Sequence, residues 1–218
     1  MTKKEEAELK RQARLQAERD RMHVMWEPER ELEGFTYICG VDEAGRGPFA
    51  GPVVAGAVIL DPNVEILYLN DSKKLSEKKR EELYGEIMEK AIAVGVGIVD
   101  NETIDRVNIL QATYMAMRQA IAALNPKPDF ILADAVTIPE IAIPQKGIIK
   151  GDAKSASIAA GSIIAKVTRD RMMYEYDRLY PEYGFASHKG YGTAAHIAAI
   201  KKYGPLSVHR RTFIHSYI

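Results

Sequence analysis

The stretch that most constrains the fold is residues 37–60, YICGVDEAGRGPFAGPVVAGAVIL. Residues 38–41 and 53–60 are short and apolar, which predicts two buried β-strands with a turn between them. The adjacent acids Asp42 and Glu43 stand at the end of the first strand. An ionised carboxylate removed from water needs a partner charge or a metal, so acids at this point indicate chemistry.

A glycine-rich turn follows the two acids. Gly45, Gly47 and Gly51 permit positive φ or a close approach of the backbone, and exposed N–H groups in such a turn can bind a phosphate or a sugar hydroxyl. A solvated hairpin turn is the alternative interpretation. The segment is not a Walker A loop, because no Gly-Lys-Ser/Thr follows at the required spacing, and the GxGxxG pattern is absent too.

The length of 218 residues suits one domain with a sizeable core and an appendage. No apolar run approaches the length of a membrane span, and the charged N-terminus lacks the apolar segment of a signal peptide. The single cysteine, Cys39, fits a reducing compartment. These features predict a cytoplasmic protein.

Charge is unevenly distributed although the formal net charge is zero. Residues 150–218 hold 11 Lys and Arg against 5 Asp and Glu, so the C-terminal third is basic. This asymmetry is a weak indication of a polyanionic partner.

Residues 1–33 are predicted to be an N-terminal helical extension. They are rich in charge, and Thr2 with Glu5 makes a capping box for a helix to about Arg21. The apolar residues follow no clean stripe, so we expect a helix that is peripheral or serves a partner contact. Residues 34–218 are predicted to form the catalytic domain.

The remaining pattern alternates helices and strands without an internal repeat. Helices are predicted over 71–90, 101–123, 155–180 and 194–202, and further strands over 91–99, 129–132 and 146–149. This order predicts an α/β fold with a mixed sheet flanked by helices.

Four acids fall at or just beyond predicted strand ends: Asp42, Glu43, Asp134 and Asp152. Ligand sites in open α/β sheets collect at such ends. Clustered carboxylates repel one another unless protons or cations compensate, and oxygen ligands suit Mg²⁺ or Mn²⁺. The natural use is a two-metal phosphoryl-transfer site. Asp134 and Asp152 taken separately are read equally well as turn residues.

Five segments in a fixed order closely resemble bacterial ribonuclease HII, the type 2 ribonuclease H: GVDEAGRGPFAGPVVAGAV, DSKKLS, ILQATYMAM, KGDAKSASIAAGSIIAKVTRD and HKGYGT. The resemblance covers about residues 35–211. It implies a ribonuclease H-like fold and cleavage of the phosphodiester on the 5′ side of a ribonucleotide in an RNA/DNA hybrid or embedded in duplex DNA, leaving 3′-OH and 5′-phosphate ends.

The resemblance also implies residue roles. The four acids would hold two Mg²⁺ or Mn²⁺ ions, one activating the attacking water and the other stabilising the 3′-oxygen leaving group. The turn Gly45-Arg46-Gly47 would contact the ribonucleotide and its 2′-hydroxyl, largely through the backbone. Tyr191 would stack on the next sugar and sense the junction, although without the resemblance it is read as a half-buried loop aromatic.

Other polar residues receive weaker assignments. Six lysines are candidates for phosphate contacts, with solvated surface as the alternative interpretation for each: Lys73, Lys74, Lys150, Lys154, Lys166 and Lys189. His188, His196 and His209 lack metal-ligand spacing such as HxxxH, so we expect solvated loop or helix-face side chains. The C-terminal HRRTFIHSYI matches the family only through about Phe213, which leaves the role of the tail open.

Two alternatives accompany this interpretation. Ribonuclease HIII resembles the fold but carries a larger N-terminal substrate-binding domain and lacks the arginine of the glycine motif, so Arg46 and the short extension favour HII. A non-catalytic nucleic-acid-binding module is the other alternative, and four intact acids argue against it. The expected partners are RNA/DNA hybrid and ribonucleotide-containing duplex DNA, bound by a monomer with no membrane contact and no obligate protein partner.

Overall fold

A mixed five-stranded sheet lies at the centre of the protein. The computed structural model describes residues 2–218. In chain order the strands are β1 (Ile38–Ala44), β2 (Val53–Ile59), β3 (Ala93–Val99), β4 (Phe130–Asp134) and β5 (Gln145–Ile148). They lie in the order β3-β2-β1-β4-β5, with antiparallel pairing of β1 to β2 and of β2 to β3, and parallel pairing of β1 to β4 and of β4 to β5.

Helices cover both faces of this sheet, so the predicted α/β fold class is confirmed. They are α1 (Lys3–Met25), α2 (Glu27–Arg30), α3 (Glu77–Lys90), α4 (Asn101–Val107), α5 (Ile109–Ala123), α6 (Ala156–Leu179), α7 (Phe185–His188), α8 (Ala194–Tyr203) and α9 (Arg211–Ile214). Helix α5 packs against β2 and β3, and α6 packs against β1 and β2 with α3 beside it. Every residue of β2 is buried, because a helix covers each of its faces.

The close packing of α6 on β1 depends on Gly40. A Cβ atom placed on Gly40 would lie 2.0 Å from the backbone carbonyl carbon of Ser157, in the first turn of α6. Any side chain at this position would push the helix away from the sheet. Since Asp42 follows two residues later, this contact sets α6 beside the strand that carries the first acid.

Two helix boundaries differ from the sequence prediction. The helix expected from Asp71 begins only after Ser76, whose hydroxyl caps it. The preceding residues form a turn instead, because the guanidinium of Arg80 donates hydrogen bonds to two of their carbonyl oxygens. The helix expected over 101–123 is broken at Asn108, which has φ of 72° and caps α5 with its side chain.

The N-terminal extension is attached more closely than the sequence predicts. The predicted capping box is confirmed, and the first four turns of α1 are mostly exposed. Met22 and Met25, however, are 4% and 3% exposed and pack in the core cluster that α6 shares with β2. The expectation of a peripheral helix, whose apolar residues form no clean stripe to join the core, is wrong at these two positions. The division into residues 1–33 and 34–218 stays a prediction.

Glu29 fastens the extension to the start of α6. Its Oε1 accepts hydrogen bonds from the Ser155 hydroxyl at 2.6 Å, the Ser157 hydroxyl at 2.6 Å and the Ser157 N–H at 2.9 Å. The carboxylate lies at the positive end of the α6 dipole, because Ser155 is the N-cap residue of that helix. The extension thus contacts the helix that begins just after Asp152.

The C-terminal segment closes over the glycine-rich turn. Ala50 and His209 form an isolated antiparallel bridge, and the N–H of Arg210 donates to the Phe49 carbonyl at 2.8 Å. Apolar residues of α7, α8 and α9 form a separate small core next to this contact. None of the helices formed by residues 2–218 is long and apolar enough to cross a membrane.

Candidate active site

Two parallel strands bring Asp42 and Asp134 to the same edge of the sheet. Val41 of β1 pairs with Ala133 of β4, and both strands run in the same direction. Asp42 and Asp134 each follow these paired residues by one position, so they are neighbours at the strand ends. The juxtaposition predicted from the sequence is present for this pair.

Asp152 reaches the same edge through the segment after β5. Residues 151–153 form a single 3₁₀ turn, and Asp152 is 8% exposed. The N–H of Gly151 donates to Asp134 Oδ1 at 2.6 Å. This hydrogen bond ties the turn that carries Asp152 to the acid at the end of β4.

Burial and mutual repulsion raise the pKa values of three of the four acids. Burial raises the pKa of Asp42 well above its usual range, and the charges of Glu43 and Asp134 add to the effect. Burial raises the pKa of Glu43 against the opposing effect of Arg46. Burial also raises the pKa of Asp152, to which nearby carboxylates contribute. A cation bound among these groups would relieve the repulsion.

Lys73 and Asp71 belong to the same charge cluster. Burial opposes protonation of the Lys73 amine, but the carboxylates of Asp42 and Asp71 outweigh it and raise its pKa. Asp71 accepts the N–H of Lys73 at 2.9 Å, and its charge is the largest cause after burial of the raised pKa of Asp152. The sequence analysis named Lys73 among six candidates and did not place Asp71 at the site, although both lie in the DSKKLS segment.

The donor set suits a hard divalent cation, but the side chains are not yet arranged around one. Across the described residues 2–218, no group of three or more Asp, Glu, His or Cys side chains is arranged to hold a metal ion. Protein donors occupy three of the carboxylate oxygens: the Glu43 N–H donates to Asp42 Oδ1 at 2.7 Å, Arg46 Nη1 lies 3.3 Å from Glu43 Oε1, and the Gly151 N–H donates to Asp134 Oδ1 at 2.6 Å. Four carboxylates are the ligands that Mg²⁺ and Mn²⁺ prefer, so the residues fit these ions by chemistry.

Arg210 supports the glycine-rich turn from behind. The guanidinium donates to the carbonyl oxygens of Gly45 at 2.6 Å, Arg46 at 2.8 Å and Gly51 at 3.0 Å. The N–H of a trans peptide points away from its carbonyl, so the N–H groups of Arg46 and Gly47 lie on the side of the turn away from Arg210. Neither of these N–H groups donates to another group within residues 2–218. They are available to a ligand.

Arg169 links the turn to the loop that carries Tyr191. It donates to the carbonyl oxygens of Pro52 at 3.0 Å, Ala50 at 3.1 Å and Lys189 at 3.0 Å. Gly45 has φ of 97°, and a Cβ atom there would lie 2.0 Å from Arg169 Nε, so only glycine fits. Burial lowers the pKa of Arg169 to about 10 and that of Arg210 to about 9. No sequence pattern indicates that either arginine has a structural role.

The turn and Tyr191 border a single cleft of about 530 Å³. Of the four acids, Glu43 lines this cleft, whereas Asp42 precedes it in β1, Asp134 ends β4 and Asp152 lies in the turn after β5. Tyr191 is 46% exposed, and a Cβ atom on Gly47 would lie 3.5 Å from its ring. Lys73 and Lys166 line the cleft, whereas the ammonium group of Lys189 lies over the ring of Tyr174. The cleft therefore combines carboxylates, free backbone donors, cations and an aromatic ring.

Solved structures with the same fold define the class of protein. The ribonuclease H2 of Pyrococcus horikoshii superposes with a TM-score of 0.70 and 31% identity, over 84% of this chain and 97% of that one. The ribonuclease HII of Archaeoglobus fulgidus, solved in complex with PCNA, gives 0.66 and 27% over 80% and 93%. A Bst ribonuclease HIII solved with Mn²⁺ gives 0.56 and 20% over 77% and 63%, which supports the fold alone. The fold is ribonuclease H-like.

Sequence comparison narrows this class to one family. The chain matches the Ribonuclease HII family over residues 39–216. The ribonuclease HII of Lachnoclostridium phytofermentans is 61% identical over 204 residues, which are 94% of this chain and 80% of that protein. The chain therefore belongs to the ribonuclease HII family, and it is a hydrolase of the ribonuclease H type. The match extends beyond Phe213, where the resemblance in the sequence alone stopped.

Proposed function

We propose that this enzyme hydrolyses the phosphodiester bond on the 5′ side of a ribonucleotide, in RNA/DNA hybrids and at single ribonucleotides in duplex DNA, leaving 3′-OH and 5′-phosphate ends. One observation carries the proposal: the free N–H groups of Arg46 and Gly47 share a cleft with Glu43 and Tyr191. A sugar hydroxyl bound by these donors puts the adjoining phosphate near the acids at the strand ends.

Asp42, Glu43, Asp134 and Asp152 are the proposed ligands of two Mg²⁺ or Mn²⁺ ions. Bound ions supply Lewis-acid chemistry, which activates a water nucleophile and stabilises the 3′-oxygen leaving group. The chain's own part is to hold these carboxylates close together beside β1 and β4. Arg46 contacts only Oε1 of Glu43, and its exposed guanidinium can also meet a substrate phosphate.

Recognition of the ribose is assigned to the turn and to Tyr191. The N–H groups of Arg46 and Gly47 donate to the 2′-oxygen, which deoxyribose lacks. The half-exposed ring of Tyr191 packs on the sugar of the next nucleotide. Lys73 neutralises a backbone phosphate beside the acids.

The test is a cleavage assay on three matched duplexes: all DNA, DNA with one ribonucleotide, and RNA/DNA hybrid. The wild type with Mg²⁺ or Mn²⁺ is expected to cut the last two, at the 5′ side of the ribonucleotide, and chelation of the metal stops cleavage. Asp134→Asn is expected to lose about 10²-fold or more in turnover and little affinity, because it removes a metal-directed charge from the transition state. The matched control is Glu102→Gln on exposed α4. Full activity of Asp134→Asn would remove Asp134 from the site.

The enzyme is also proposed to act as a monomer without an obligate protein partner. The complex with PCNA is a property of the archaeal relative. Light scattering of the purified chain with and without substrate duplex tests the monomer, and a mass of two chains at working concentration would contradict it. The cytoplasmic location stays a prediction.

A further inference from the structure

Three histidines, two of them buried, form a group next to the Tyr191 loop and outside the acid cluster. His196 and His209 are 0% and 1% exposed, and their Nε2 atoms lie 3.0 Å apart. The ring of His188 stacks on that of His196 with centroids 4.4 Å apart. The expectation of solvated loop or satisfied helix-face histidines is wrong for His209, since its ring is buried in the segment after α8.

The hydrogen bonds fix the proton positions on both buried rings. The N–H of Leu206 donates to His209 Nδ1 at 2.9 Å, so the proton of His209 is on Nε2. His196 Nδ1 lies 2.9 Å from the carbonyl oxygen of Tyr191, which can only accept, so the proton of His196 is on Nδ1. His209 Nε2–H therefore donates to the unprotonated Nε2 of His196. Each ring is neutral, and each nitrogen has a partner.

This chain of hydrogen bonds connects the two sides of the cleft. At one end it holds the backbone of Tyr191, whose N–H in turn donates to the carbonyl of His188 at 2.9 Å. At the other end His209 is followed by Arg210, which holds the carbonyl groups of Gly45 and Arg46. The glycine-rich turn and the Tyr191 loop are thus linked through two imidazole rings.

We propose that His196 and His209 are positioning residues, which as a neutral pair hold Tyr191 at a fixed place relative to the Gly45-Arg46-Gly47 turn. The inference rests on the proposed function, because that function gives Tyr191 its contact with the substrate. Protonation of either ring would set two N–H groups against each other and break the link. The pair acts through Tyr191 and does not touch the reacting atoms.

The surroundings of the pair keep it neutral. His188 and Tyr183 face it from the segment before Tyr191, and Arg211 faces it from the start of α9. Burial lowers the pKa of both His196 and His209 to about 4, and the neighbouring imidazole adds to the effect in each case. At neutral pH the link is therefore intact.

The first test is a double-mutant cycle on the duplex with one ribonucleotide. His196→Ala is expected to lower kcat about tenfold with KM within about threefold, because the ring of Tyr191 is no longer held in place. His196→Asn is expected to recover most of the loss, since its amide N–H can replace Nδ1–H at the Tyr191 carbonyl. In a Tyr191→Ala background, His196→Ala should cost less than about twofold more, because both changes remove the same interaction. Melting curves of each variant confirm that it is folded.

Equal losses from His196→Ala in the presence and absence of the Tyr191 ring would overturn the inference, as would a His196→Asn variant no better than His196→Ala. If the wild-type enzyme cleaves the ribonucleotide substrate normally while the variants give either of these results, the proposed function is retained and only the role of the histidine pair is rejected. A wild type that cuts no ribonucleotide substrate would remove the proposed function, and the role of the pair with it.

A second measurement does not depend on cleavage. Nitrogen chemical shifts of ¹⁵N-labelled histidine report the protonated ring atom directly. We expect protonated Nδ1 on His196, protonated Nε2 on His209, and no change in either ring down to about pH 5. Reversed tautomers, or an imidazolium at pH 6.5, would contradict the proposed link.

Discussion

The guanidinium of Arg210 lies 2.6 Å from the carbonyl oxygen of Gly45 and binds the turn at the residue where its backbone has positive φ. Arg210 is fully buried, and its hydrogen bonds go to backbone carbonyls rather than to a carboxylate. A buried cation is retained only where several acceptors compensate for the loss of water. The turn supplies these acceptors, and in return its free N–H groups are held facing the cleft.

Arg210→Met is expected to destabilise the protein and to weaken substrate binding. The change leaves the buried carbonyl groups of Gly45 and Gly51, and the partly buried one of Arg46, without their donor. Each buried unpaired group costs about 1–3 kcal/mol, offset in part by removal of a buried charge. We expect a net loss of about 2–4 kcal/mol in the free energy of unfolding, measured with denaturant, and a raised KM for the ribonucleotide duplex. Arg211→Met, at the exposed neighbouring position, is the matched control. Equal stability of the two variants would show that Arg210 does not hold the turn.

Truncation of the extension should separate its exposed part from its buried part. Removal of residues 2–16 takes away the exposed turns of α1 and is expected to shift Tm by no more than about 2 °C. Removal of residues 2–33 also deletes Met22, Met25 and Glu29. Each buried methionine contributes about 1.5–3 kcal/mol, and loss of the Glu29 carboxylate from the N-terminus of α6 costs about 0.3–2 kcal/mol. Melting curves of the two truncated chains test this, and equal Tm values would restore the view of the extension as peripheral.

Stability should fall in acid because of the histidine pair. The ordinary histidine pKa of 6.5 applies to the unfolded chain, whereas burial lowers the pKa of His196 and His209 to about 4 in the folded protein. Between these values the unfolded state binds more protons, so stability rises with pH and is lost as pH falls from 6.5 to about 4. The expected loss is on the order of 3 kcal/mol for each ring.

His209→Gln provides the measurement. It keeps a donor toward His196 and removes one titrating ring, so the loss of unfolding free energy between pH 7 and pH 4.5 is expected to be smaller by about half of the pair's contribution. His23→Gln on exposed α1 is the control, and its pH dependence should match the wild type. An unchanged pH dependence for His209→Gln would show that the buried ring does not titrate as described.

Local pattern predicted the strands and the acids at their ends because both depend on short-range signals. Apolar segments ending in Asp42 and Asp134 place the acids at one edge once the strands are parallel, and the sheet order satisfies this condition. The turn at Asn108 and the late start of α3 were missed because side-chain hydrogen bonds, and not propensity, decide them.

The residues that hold the site in place could not be predicted from the sequence alone. Arg169, His209 and Arg210 act on residues more than a hundred positions away in several of their contacts, and nothing in their local context distinguishes them from surface cations. Glu29 gave no signal for the same reason, since its partners lie near residue 156. Such long-range polar contacts follow from the packed fold, and the resemblance to ribonuclease HII motifs indicates candidate site residues without explaining what holds them.

Binding of the nucleic-acid substrate is expected to weaken as salt rises. Lys73 is expected to contribute measurably to this salt dependence. A phosphate contact releases counterions, and loss of one such contact reduces the slope of log affinity against log salt by about 1. Lys73→Gln should show this reduction, because Lys73 lines the cleft, whereas Lys74→Gln next to it should not. Affinity measured by fluorescence anisotropy between about 50 and 200 mM salt decides the matter. Identical slopes for the two variants would exclude a phosphate contact at Lys73.

Discrimination between ribose and deoxyribose should appear mainly in the cleavage rate. A turn that pairs its N–H groups with a 2′-oxygen leaves them without that partner against deoxyribose. Arg46 and Gly47 are exposed, so water reaches both groups and each costs only about 1 kcal/mol, the low end of the usual range. Binding alone therefore discriminates by only about one or two decades. The remainder depends on correct docking, in which Tyr191 holds the next sugar and aligns the scissile phosphate with the acids.

Tyr191→Ala is therefore expected to lose about 10²-fold in kcat at a ribonucleotide–deoxyribonucleotide junction, with affinity changed by less than about fivefold. Tyr191→Phe is the matched control, because it keeps the ring that packs on the sugar.

A 2′-O-methyl group at the ribonucleotide should block cleavage by the wild type. It removes the hydroxyl donor and crowds the turn at Gly47, whose neighbour across the cleft is the Tyr191 ring. Single-turnover rates on the three substrates measure these effects. Cleavage of the 2′-O-methyl and all-deoxy duplexes at the rate of the ribonucleotide duplex would exclude recognition of the 2′-hydroxyl by this turn, even with all four acids established as metal ligands.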